Sequence, residues 1–215
     1  MPTAAELKCR LQAHCDSDPP EPWRVRLHRA LSWPARAERE TGDPDARFVF
    51  LWIALNAAYA SELAREEGER VRFQRFVGGL VALDAGGALH DALFHQFSGP
   101  IRVLIENRFV FEPFWTALRT HDSSGQWETS FANARRRATA AIVDRDTATV
   151  LSIVFDRLYV LRNQIVHGGA TWNSRVNRAQ LRDAVAILGV LVPAVLGIML
   201  AHPHHDHGEV LYPVV

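Results

Sequence analysis

The stretch Leu158–Asn173, LYVLRNQIVHGGATWN, carries Arg162, Asn163 and His167 in an otherwise apolar run and then meets a glycine pair, Gly168–Gly169. The apolar spacing predicts a helix, and paired glycines are a usual helix stop. Asn163 and His167 are four residues apart and share nearly one face of such a helix. Arg162 and His167 are five apart, about 140° around the axis. If the helix loosens at the glycines, His167 can turn toward Arg162.

Those residue types define a chemistry. An imidazole titrates near neutrality and can take or give a proton. A guanidinium grips a phosphate in a fork and stabilises charge that develops on it. A neighbouring carboxamide can orient either group. Together they fit RNA cleavage without a metal, with His167 moving a proton at the 2′-hydroxyl or the leaving oxygen and Arg162 supporting the phosphorane. The sequence contains no evident carboxylate cluster for a metal, and no metal or other cofactor is expected. The competing reading makes Arg162 and Asn163 local pairing residues and His167 a helix cap.

Working outward, the chain reads as helices throughout, and no run alternates with period two over a strand's length. Up to about Glu40 the helical pattern is weak and broken by DSDPPEP and Pro34, which predicts an N-terminal extension. Asp43 and Pro44 form a helix start, with an N-cap followed by proline at the first helical position. Phe48 to Ala60 is almost wholly apolar, so that helix should be buried over most of its circumference. Asn56 is its polar exception, and with Tyr59, three residues on, it is a candidate cleft-lining residue. Glycine pairs at 78–79 and 86–87 predict breaks, Gly99–Pro100 a restart, and HDSSGQWE a loop. The aromatics around Glu106–Arg108 are read as core. Two helices should part near Asp144–Asp146. Arg135, Arg136 and Arg137 are a solvated face and a candidate RNA contact.

Ala184–Ala201 carries no charge and reaches the lower length limit of a membrane span. With no aromatic belt and no Lys/Arg flank, it is read as a buried helix of a bundle or a dimer seam. HPHHDHGE, after it, is read as a flexible tail with adventitious metal affinity. His90 and His95, five residues apart on a helical pattern, are assigned no role. The domain boundaries expected are 1–42, 43–201 and 202–215.

Composition bounds the function. The formal net charge of zero excludes a polybasic nucleic-acid binder, so any such contact needs a local patch. Lys8 is the only lysine, and every other basic side chain is the guanidinium that suits phosphate. Cys9 and Cys15 do not make a disulfide framework. The opening MPTAAELKCRLQAHCD has no signal-peptide pattern, and the cytoplasm is the expected compartment.

The Arg162–His167 spacing, Asn163 directly after the arginine, the HGG continuation and the long apolar helix that follows resemble the R-x(4–6)-H signature of HEPN domains. FVFLWIALNAAYA resembles their early buried helix. The resemblance implies an all-α helical bundle, here with extra N-terminal and inserted helices. It also implies a homodimer joining two motifs, and a metal-independent endoribonuclease of a toxin–antitoxin or phage-defence system, with RNA as substrate and an antitoxin protein as partner. Inactive members of that family act as binding modules. The alternative here is therefore a non-catalytic helical module for a nucleotide or a partner protein, and a third reading is a structural or membrane-associated protein that uses the apolar last helix.

Overall fold

The computed structural model describes residues 2–14, 18–60, 69–175, 177–208 and 210. Cys15 and Gly68 lie outside these, and Cys9 is a free, exposed thiol. All regular structure among the described residues is helical, so the chain is an all-α bundle. It forms two compact units, residues 1–89 with 181–215, and residues 90–180.

The first unit contains α1 (Ala4–Ala13), α2 (Glu21–Ala37), α3 (Pro44–Tyr59), α4 (Glu69–Leu83) and most of α10 (Arg178–Ala201). α3 starts where the sequence indicates: the Asp43 carboxylate accepts from the Ala46 amide and Pro44 occupies the first turn. No residue of α3 is exposed. The glycines at 78 and 79 lie inside α4 and do not break it. The 86–87 pair does mark a break, where Gly87 takes a φ of +65° and Asp84 caps the next helix through the Ala88 and Leu89 amides.

α10 is long and apolar enough to cross a membrane, yet 72% of its most apolar window is buried within the fold. Leu188, Leu196 and Met199 are fully enclosed. Each such side chain contributes about 2 kcal/mol through burial.

The compact units follow different boundaries from those expected at residues 42 and 201. The N-terminal segment is no appendage, because α1 packs on α2 and α2 on α3. Trp23 Nε1 also donates to the Met199 carbonyl of α10 at 2.9 Å. The segment after α10 is held as well. Arg26, only 2% exposed, donates to the Ala58 and Ala60 carbonyls at the end of α3 and, at 3.0 Å, to Gly208. One guanidinium thus satisfies carbonyls that the end of α3 leaves unpaired and fixes the histidine-rich turn. Burial pulls Arg26 down to about 10, opposed by Asp206.

In that turn, burial pushes the His207 imidazole down from 6.5 to about 4, and the charges of His205 and Arg26 act the same way; the contact with the His202 carbonyl and the Asp206 carboxylate oppose it. A base depressed in the folded state binds fewer protons than the unfolded chain between those two values, so stability falls as pH drops from 6.5 toward 4. We expect urea midpoints to decline over this window, and the decline to be shallower in His207→Gln. Identical pH profiles for the two proteins would contradict the assignment.

Candidate functional site

The second unit runs from His90 through a π-helical turn (Ala92–Gln96), α6 (Ser98–Glu106), a 3₁₀ turn (Arg108–Val110), α7 (Glu112–Arg119), α8 (Gln126–Val143) and α9 (Thr147–Val166). α5 (Ala88–Asp91) joins the two units in sequence. α8 and α9 part at Asp144–Asp146 as the sequence indicates, and the Asp146 carboxylate caps α9 through the Thr149 amide.

No residue of α9 from Thr147 to Ile165 is exposed. Its polar groups therefore need partners. Arg157, 4% exposed, donates to the Val110 carbonyl and lies over the rings of Phe111 and Phe131, 4.6 and 5.6 Å from their centroids. Arg162 is half-buried, donates through Nη1 to Asn163 Oδ1 at 2.9 Å, and sits 5.9 Å from the Tyr159 ring centroid. Its Nε is enclosed and makes no hydrogen bond among the described residues.

His167 is the C-cap of α9, with its amide bonded to the Asn163 carbonyl at 3.0 Å and its side chain exposed. The structure therefore joins Arg162 to Asn163 directly and places His167 one turn on; no hydrogen bond links the imidazole to either. The glycine pair has two separate jobs. Gly168 takes a φ of +72°, which a β-carbon disfavours. At Gly169 a β-carbon would lie 3.1 Å from the Gln164 carbonyl oxygen.

Gln164 then braces the following loop. Its amide accepts from Asn177 Nδ2 at 2.7 Å and donates to the Phe109 carbonyl at 2.7 Å, which also accepts from Trp115 Nε1. The loop carries Trp172, 73% exposed, and the exposed Arg175. Sequence reasoning missed Gln164 and this loop. A signal was present: Arg157, Arg162, Arg175, Arg178 and Arg182 occur in a stretch from 157 to 182 that has no carboxylate. Of these, Arg157 is buried and Arg182 belongs to the first unit, while Arg175 stands exposed beside Trp172 in the loop.

The other candidates fall elsewhere. Asn56 is half-buried in the first unit, and Tyr59 is 5% exposed, packed against Phe73 and Phe76 at 5.3 and 5.9 Å between centroids. Tyr59 is thus a core ring, not a cleft-lining one, because an apolar helix buries both its sides. Arg135 pairs with Glu106 and lies over Phe131, Arg136 bonds Asn133, and Arg137 is exposed. All three are exposed, and as consecutive helical residues they leave the axis about 100° apart.

The aromatics near Arg108 divide: Phe111, Phe114 and Trp115 are half-buried, and Phe109 is not core. Phe109 is 40% exposed, and the Arg108 guanidinium lies over the rings of Phe109 and Phe114. A recess of about 340 Å³ lies between α3 and α10, lined by Arg47 and Arg182 among others, and contains none of the predicted site residues. Comparison with protein-family models, curated proteins and solved structures finds no match.

Gly168→Ala should cost about 1–2 kcal/mol, the penalty of a left-handed non-glycine residue, and Gly168→Asn less. Urea unfolding measures both. Equal stability of Gly168→Ala and the unchanged protein would show that the helix end does not require this conformation.

Proposed function

We propose that the chain is an endoribonuclease of HEPN type that needs no metal for cleavage, works as a two-fold dimer and belongs to a toxin–antitoxin or phage-defence system in the cytoplasm. The observation that carries the reading is the end of α9. There a half-buried guanidinium is oriented by Asn163, and an exposed imidazole one turn on has no hydrogen-bond partner among the described residues. The exposed Arg175 and Trp172 of the loop that follows support a nucleic-acid ligand, by phosphate attraction and base stacking.

In this mechanism the 2′-oxygen of the RNA attacks the adjacent phosphorus, a P–O bond forms, and the bond to the 5′-oxygen breaks. His167 assists by moving a proton, off the 2′-hydroxyl or onto the 5′-oxygen. Arg162 carries the charge that accumulates on the phosphoryl oxygens. A single motif offers one of each group. An isologous pairing of two protomers would bring two arginines and two histidines to one phosphate. The exposed position of His167 leaves it free for such a pairing. An antitoxin would act by covering this end of α9. The binding-module reading keeps the same residues as phosphate contacts without turnover.

Purified protein incubated with RNA in EDTA should cleave it. Arg162→Ala and His167→Ala should each lower the rate by on the order of a hundredfold or more with the helical circular-dichroism spectrum unchanged. Asn163→Ala should have a smaller effect. Full activity in His167→Ala, or none in the unchanged protein with EDTA, leaves the binding module as the better reading.

A further inference from the structure

The π-helical turn after α5 overturns one expectation. On a regular helix His90 and His95 diverge. Here the turn widens over Ala92–Gln96 and closes with a bond from the Phe97 amide to the Ala92 carbonyl, five residues back, at 3.0 Å. An extra residue per turn restores alignment at that spacing, and such turns recur at functional sites. The two imidazoles meet with centroids 5.5 Å apart.

Asp91 lies with them. Its Oδ1 is 3.1 Å from His95 Nδ1 and 3.6 Å from His90 Nδ1, and one ligand atom from each of the three residues falls within 4.8 Å of the others. Bonds of about 2.0–2.1 Å to a tetrahedral ion require donors about 3.3–3.4 Å apart. The Asp91–His95 pair, at 3.1 Å, already lies near that spacing, and an ion would have to draw in the remaining donors, which are no more than 4.8 Å apart. The three side chains are 31%, 67% and 57% exposed for His90, Asp91 and His95, so an ion can reach them from solvent. Phe94 lies beside His90 with ring centroids 4.8 Å apart and the ring planes tilted by 43°.

We propose that His90, Asp91 and His95 form a binding site for a divalent first-row transition-metal ion, held by two imidazole nitrogens and one carboxylate oxygen. Imidazole and carboxylate together suit zinc and its neighbours, while calcium and magnesium prefer oxygen alone. Three protein donors leave at least one coordination position for water or an external ligand. This site is separate from the residues assigned to RNA cleavage and does not rest on that assignment.

The histidine-rich turn after α10 would also take up such ions, so the test uses a His204→Ala/His205→Ala background. Both of those residues are exposed. Titration with Co²⁺, read by visible absorption, and with Zn²⁺, read by calorimetry, should show one ion per chain. His95→Ala and Asp91→Asn should each weaken it by about tenfold or more. In parallel, ring-nitrogen NMR of the background protein should show His90 and His95 shifting together on Zn²⁺ addition, which holds even if a variant misfolds. Unchanged affinity in folded variants, or Zn²⁺ binding that leaves both rings unshifted, overturns the proposal, as does the absence of binding.

Discussion

Burying a helix on nearly every side while it carries arginines is the constraint on which the second unit depends. α9 exposes nothing between Thr147 and Ile165, yet Arg157 and Arg162 lie inside that span. A charged group taken out of water needs hydrogen bonds or a polarisable neighbour. Arg157 obtains both from the Val110 carbonyl and the flanking rings of Phe111 and Phe131, which draws the 3₁₀ turn and α8 onto α9. Arg162 has a different environment. It keeps partial access to solvent and donates to the side chain of its neighbour Asn163.

The same economy of donors and acceptors shapes the first unit. The end of α3 presents carbonyls with no helical partner, and Arg26 meets them from α2 while also holding Gly208. The two buried arginines thus do comparable work in separate units. Each replaces water at backbone carbonyls next to a helix or turn end, and each ties together segments distant in sequence.

Much of this was legible from the residues. The Asp43–Pro44 start, the stop at Gly168, the parting of α8 from α9 and the long apolar α10 all depend on local backbone preferences that sequence displays directly. What was hidden depends on tertiary partners. Gly78 and Gly79 look like a break but are tolerated within α4. The π-helical turn changes the register of His90 and His95, and nothing in the residue types announces it. Tyr59 looked like a cleft residue because polarity is visible in sequence and its packing against Phe73 and Phe76 is not. Arg162 and Asn163 were identifiable as adjacent; that the latter would orient the former depends on rotamers set by Tyr159 and the surrounding core.

The central claim is that the end of α9 cleaves RNA through the substrate's own 2′-hydroxyl. It is tested most directly by the chemistry of the product ends, using an RNA cut at one position and the same strand with a single 2′-deoxy nucleotide 5′ to the scissile phosphate. The account predicts a 2′,3′-cyclic phosphate and a 5′-hydroxyl from the first and no cut at that position in the second. Ends bearing a 3′-hydroxyl and a 5′-phosphate, or undiminished cutting of the deoxy strand, would contradict it.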